Sequence, residues 1–220
     1  MTKSKCQIEN ERIWAETVNV LNEFTKKYRG NKWNYLVESD IQCELFSDLR
    51  AKINLSLSPK IEPMGGVSAP QLTVNCVNSE FNPRRDMMAR HDRIDLVCLD
   101  AECAPLIKWN GKPNHTDWIY SLRALVGIEL KHFWIGSKNG IQGLRDDLEK
   151  LKKMEVPNGL SLAYFHDSAE FEKHAKYGAT ILQKLPSTEI GLSNTGSDGF
   201  KVGHFRRRSG DRCHSPFVGV

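Results

Sequence analysis

The order of apolar patterns along the chain predicts an α/β or α+β fold, a β-sheet with helices on both faces. Two amphipathic helical patterns open the chain, strand-like apolar runs fill its middle, and helical and strand patterns alternate from residue 124 onward. Helices and strands interleaved in this way bury their apolar faces by packing helices against a sheet. The length of 220 residues suits one domain whose core needs neither disulfides nor a structural metal.

Taken in order, residues 10–29 carry Ile13, Trp14, Val18, Leu21 and Phe24 at helical spacing, the pattern of an amphipathic helix. Lys26, Lys27 and Arg29 fill its last turn and Gly30 follows as a stop. A second helix is predicted in VESDIQCELFSDLRAKI (37–53), with Ile41, Leu45, Phe46 and Leu49 on one face. Ser39, with Gln42 three residues on, resembles a capping box. From residue 55 prolines, paired glycines and alternating apolar residues predict loops and a strand near 71–77. RIDLVCLD (93–100) and ALVGIELKHFWI (124–135) read as strands, with WNGKPNHTDW (109–118) as an inserted hairpin tip, about 105–120 in all. A helix at about 141–154, a strand in GLSLAYFHD (159–167) and a helix over 168–184 complete a domain spanning 1–185. The remainder, 186–220, is a Gly/Ser-rich basic tail holding a short strand in FKVGHF and packing on or extending the domain.

Composition narrows the class without naming a function. With 40% hydrophobic and 26% charged residues, the chain is neither a disordered acidic protein, a collagen-like repeat nor a cysteine scaffold. A net charge of +4 permits a polyanionic partner without demanding one. The N-terminal residues lack the apolar run of about 7–15 residues that a signal peptide carries, and no run approaches the roughly 18 apolar residues of a membrane span. Six scattered cysteines without a CxxC predict small apolar residues in a reducing, cytoplasmic protein with no membrane partner. A zinc site from His91, Cys98 and Cys103 matches no common ligand spacing.

The informative charges lie inside strands. Asp95 interrupts IDLVCL, and Glu129 and Lys131 interrupt LVGIELKHFW. A charge buried in a strand is costly unless paired or bound to a metal. Strand period two puts Glu129 and Lys131 on one face and His132, a packing residue, on the other. If the two strands are neighbours, Asp95 points toward Glu129, and two carboxylates can share a hard cation such as Mg²⁺ or Mn²⁺. The plain alternative is a strand-face ion pair of Asp95 or Glu129 with Lys131. On the second helix Glu38 falls near the centre of the apolar arc, about 120° from Glu44 at 100° per residue, so it faces inward.

These residues resemble the PD-(D/E)XK nuclease superfamily, the restriction-endonuclease-like fold. The likeness is carried by VESDIQCELFSDLR, RIDLVCLD, VGIELKHF and IQGLRDDLEKLKKM in that order, over about residues 35–165. It implies a central mixed β-sheet flanked by helices and Mg²⁺-dependent phosphodiester hydrolysis, with Mn²⁺ as substitute. It further implies that Asp95 and Glu129 are metal ligands, with the Leu130 carbonyl as a third. Lys131 orients the attacking water or offsets charge on phosphorus, and Glu38 is the supporting helix carboxylate. The motif proline before Asp95 is replaced by Arg93-Ile94.

Arg84, Arg85, Arg90 and Arg93 before the Asp95 strand, and Arg206, Arg207, Arg208 and Arg212 in the tail, are candidate phosphate grips. Their plain reading is a solvated basic surface. Trp33, Trp109, Trp118 and Trp134 read as core or hairpin anchors rather than stacking platforms. The sequence therefore predicts a Mg²⁺-dependent endonuclease acting on DNA, with RNA open as a substrate, of a defence, restriction or mobile-element type. A homodimer would serve double-strand cutting. The alternatives are a non-catalytic nucleic-acid- or protein-binding module of the same fold, and an unrelated α/β domain whose strand charges form an ion pair.

Overall fold

A computed structural model of the chain describes residues 5–54, 60–66, 68–81, 93–101, 108–109, 111–112, 122–133, 140–165 and 200–206. The elements are α1 (Lys5–Gly30), a 3-10 turn (Lys32–Asn34), α2 (Glu38–Leu49) prolonged by a π turn (Arg50–Asn54), β1 (Lys60–Pro63), β2 (Leu72–Thr73), β3 (Val77–Phe81), β4 (Ile94–Leu99), β5 (Lys108–Trp109), β6 (Ala124–Phe133), α3 (Gly140–Lys153), β7 (Asn158–Phe165) and β8 (Phe200–Arg206). The fold is mixed α/β with two mixed sheets. The larger has the order β3-β4-β6-β7-β8 and is antiparallel except between β6 and β7. That parallel step needs a crossover connection, and α3 lies within it.

Several expectations shift in detail. The strand foreseen at 71–77 divides: Leu72–Thr73 joins the small sheet β2-β1-β5, and Val77–Phe81 forms an edge of the large one. Within the foreseen hairpin, Lys108–Trp109 pairs in parallel with Glu62–Pro63 of β1, and Gly111 takes a left-handed backbone (φ 75°); most of 105–120 lies outside the described residues. So does the helix foreseen over 168–184. The tail strand is found as β8, which extends the sheet by pairing with β7 from Asn158↔Arg206 to Tyr164↔Phe200.

The two faces of β6 meet different helices. Val126, Ile128 and Leu130 join a core with Ile13, Val20, Leu21 and Phe24 of α1 and Ile41, Leu45 and Leu49 of α2. The buried stripe of α1 runs through Ile13, Thr17, Val20, Leu21, Phe24 and Tyr28, while Val18, expected inside, is only half-buried. Thr17 enters the core because its hydroxyl donates to the Ile13 carbonyl at 2.8 Å. Trp33, expected as an anchor, is 66% exposed, whereas Trp109 is buried and donates to the Pro70 carbonyl.

The opposite face of β6 receives α3, whose Leu151, with Met154 just past the helix end, packs with Val97 and Leu99 of β4. Gly127 sets how closely α3 approaches. A Cβ at this position would lie 2.7 Å from Leu151 Cδ2 and 3.1 Å from Val156 Cγ1, and both neighbours are fully buried. Overpacking of this kind costs about 1–3 kcal/mol. Gly127→Val is therefore expected to lower the urea-unfolding free energy by about that amount. An unchanged midpoint would contradict the close approach of α3.

Candidate active site at the end of the β4–β6 ladder

The β4–β6 ladder passes through Cys98↔Val126 and Val97↔Gly127 to Leu96↔Ile128 and goes no further. Continued by one residue, the same register would set Asp95 opposite Glu129. β6 runs on to Phe133, paired on its other side with β7 as far as Phe133↔Phe165. Alternate residues of a strand turn their N–H and C=O to the same side, so Leu130 and His132 present theirs where the pairing with β4 has ended. A buried N–H without a partner is costly. Two carboxylates supply the missing acceptors: Leu130 N–H donates to Asp95 Oδ2 at 2.7 Å and His132 N–H donates to Glu38 Oε2 at 3.2 Å.

Glu38 reaches this edge because α2 starts with it. Val37 is the N-cap in extended conformation, and Asp40 Oδ2 accepts the N–H groups of Leu36 and Val37 at 2.8 and 3.0 Å. The helix thus begins one residue before the Ser39 start, capped from Asp40. Gln42 is committed elsewhere. Its side-chain amide donates to the Asp95 carbonyl at 3.1 Å and to Glu80 Oε1 at 3.0 Å, tying α2 to β3 and β4 beside the site.

On the α3 face Glu129 is 1% exposed, and its Oε1 is 2.7 Å from Lys150 Nζ. Lys150 also donates to the Arg93 carbonyl at 2.8 Å. Lys131 Nζ lies 3.1 Å from Asp147 Oδ2 and donates to the Leu130 carbonyl at 3.0 Å. The ion pairs of Glu129 and Lys131 therefore come from α3 rather than from the strand-face pairing with Lys131 that the sequence alternative foresaw. Ser161, in register with Glu129 on β7, is buried, and its Oγ has no hydrogen-bond partner among the described residues.

Asp147 and Lys150 escaped the sequence reading although a signal existed. At about 100° per residue, Asp147 falls inside the apolar arc of Leu144, Leu148, Leu151 and Met154, the same anomaly that singled out Glu38. Lys150 lies at the margin of that arc and carried no comparable mark.

The electrostatics follow from burial. Burial and the repulsion of Asp95 push the Glu129 carboxyl up to about 8, with Lys150 only partly offsetting them. Burial also raises Asp95, against the Leu130 N–H and Lys131, and raises Glu38, against Lys131. Asp147 is raised by burial too. For Lys131 burial works downward, but Asp147 and Glu38 outweigh it and the ammonium form is favoured. Asp95 and Asp147 raise both Glu38 and Glu129, which links the carboxyl groups of the cluster. Taken ionised, four carboxylates and two ammonium groups leave the cluster with a formal charge of −2.

The structure thus brings together Glu38, Asp95, Glu129, Lys131 and the Leu130 carbonyl. Arg93 is exposed at the start of β4. Arg206 is not brought to the cluster: its backbone is two strands from β6, three residues beyond Gly203, which shares the register of Ser161 and Glu129. Arg84, Arg85, Arg90, Arg207 and Arg208 lie outside the described residues, as do His91 and Cys103. Cys98 is a packed thiol, pushed up to about 12 by burial and set 3.6 Å from the Thr17 hydroxyl. His132 packs on the α1 face, hydrogen-bonded through Nε2 to the Tyr28 hydroxyl at 3.1 Å.

Among the described residues no three His, Cys, Asp or Glu side chains converge closely enough to hold a metal unaided. The donors at the ladder end are carboxylate and carbonyl oxygens, which suit a hard cation held by one or two carboxylates and completed by water. On donor chemistry and charge the residues fit such an ion. No helix among the described residues is long and apolar enough to cross a membrane. Comparison of the chain with protein-family models, with curated proteins and with solved structures finds no match.

A raised carboxyl has a definite sign in stability. Glu129 rises from 4.5 to about 8 on folding, so its contribution is fully present below 4.5 and lost as pH climbs through about 8. In EDTA, Glu129→Gln is expected to gain stability relative to wild type as pH rises from about 5 to about 9, read by urea unfolding. A constant difference across that range would show that Glu129 is not held in this environment.

Proposed function

We propose that the chain is a divalent-cation-dependent endonuclease that hydrolyses phosphodiester bonds in DNA, built on the PD-(D/E)XK, restriction-endonuclease-like plan. The observation that carries this reading is the cluster at the ladder end: the carboxyl groups of Asp95 and Glu38 on the backbone N–H groups of β6, with buried Glu129 on the same strand beside a lysine held on a carbonyl. Asp95 and Glu129, with the Leu130 carbonyl, would hold Mg²⁺, or Mn²⁺ in its place. When bound, the ion supplies Lewis-acid polarisation and a more acidic water for in-line attack.

The other roles belong to the protein. Lys131, ammonium-bearing and held between the Leu130 carbonyl and Asp147, orients the attacking water and offsets charge building on the phosphoryl oxygens. Glu38 anchors the His132 N–H and adds negative charge at the same edge. Exposed Arg93 is two residues from Asp95 and suits a phosphate contact; Arg84, Arg85 and Arg90 precede it in sequence. One strand is cut per site, so double-strand cleavage calls for a homodimer. A non-catalytic nucleic-acid-binding module is the second reading, favoured by the internal pairing of Glu129 with Lys150 and of Lys131 with Asp147.

A plasmid-nicking assay separates the two. Cleavage is expected with Mg²⁺ or Mn²⁺ and not with EDTA. Lys131→Ala should lower the rate by about 10²–10³-fold, the loss seen when one transition-state donor is removed, and Asp95→Ala should abolish it. Cleavage indifferent to both substitutions would sink the assigned site. Salt-sensitive binding to DNA or RNA without cleavage of either would favour the binding module.

A further inference from the structure

Lys150 is the residue at the cluster whose position the proposed chemistry does not use. Its ammonium sits 2.7 Å from Glu129 Oε1 and 2.8 Å from the Arg93 carbonyl, with its side chain 18% exposed. It therefore touches the carboxylate proposed to hold the cation and the backbone two residues before Asp95. Lys131 is placed instead on Asp147 and the Leu130 carbonyl. A buried carboxylate needs a positive partner in the absence of a metal, and Lys150 supplies one.

We infer that Lys150 is a built-in competitor for the divalent cation: it occupies Glu129 Oε1 in the cation-free protein and gives up that contact when the ion binds. The inference rests on the cation-dependent reading above. Displacement is cheap in geometric terms. Lys150 lies at the margin of the α3 stripe, its side chain already reaches solvent, and a four-carbon stem lets the ammonium swing outward while α3 stays packed through Leu148 and Leu151. Lys150 is thus a positioning residue that guards Glu129 between binding events and lowers the affinity of the site for its ion.

Mn²⁺ binding, followed by calorimetry on wild type, Lys150→Gln and Lys150→Arg, tests this without reference to cleavage. Removing a positive charge next to the ion should tighten binding by about tenfold or more, while Lys150→Arg, which keeps the charge, should bind like wild type. Equal affinity of wild type and Lys150→Gln overturns the competition and leaves the cation-dependent reading standing. No Mn²⁺ binding to any of the three proteins overturns both. Wild type alone provides a second readout that does not depend on a variant folding. Reductive methylation of Lys150, read by mass spectrometry, should rise when Mg²⁺ is added to EDTA-treated protein, and an unchanged or reduced yield overturns the inference.

Discussion

The feature on which the rest depends is a ladder that stops short of both its strands. β4 reaches Ile94 and β6 continues to Phe133 along β7, yet their pairing ends at Leu96↔Ile128. Beyond that point the N–H groups of Leu130 and His132 need acceptors, because unpaired backbone groups are costly to bury. Asp95, the next residue in the ladder, and Glu38, the first residue of α2, provide them. Backbone satisfaction alone thus fixes two acidic side chains at one edge. The proximity of Asp95 to Glu129 follows from register and needs no further device.

α3 turns that edge into a charged pocket. Asp147 and Lys150, three residues apart on a helix, span about 4.5 Å along its axis, and Glu129 and Lys131 on the strand are separated by about 6.6–6.8 Å. The helix number rises as the strand number falls, as an antiparallel approach of α3 to β6 requires, so Asp147 meets Lys131 and Lys150 meets Glu129. Gly127 lets α3 come close enough for both contacts. Ion pairs in such surroundings contribute little net stability because desolvation offsets the attraction. The hydrophobic packing of Leu148, Leu151 and Met154 holds the helix in place, and the charges ride on it.

How much was legible in the sequence differs by level. The main strands and helices were, because their periodicity is strong: β4, β6, α3 and β7 lie within a residue or two of their apolar runs. Four residues of the candidate cluster could be picked out too, since a charge inside an apolar strand or at the centre of a helical arc marks itself. The pairing partners were not, because which helix covers which strand face is decided by tertiary packing. The start of α2 falls within the predicted segment 37–53, but the capping-box likeness at Ser39 and Gln42 is not used: Val37 is the N-cap, and Gln42 is committed to Asp95 and Glu80. Trp33 was misjudged because aromatic residues are usually buried, and a residue in a short turn between two helices has no periodic neighbour to reveal its side.

β8, the outer strand of the large sheet, bears on biosynthesis. β7 ends at Phe165, and the strand that covers its free edge begins only at Phe200. During synthesis β7 therefore leaves the ribosome with Leu160, Leu162 and Tyr164 ready to pair, well before its own neighbour has been made. An uncovered apolar edge is a template for strands of other chains, and pairings between distant segments form late. Whatever holds that edge in the interval, a chaperone or the nascent segment itself, is part of how this chain reaches its fold.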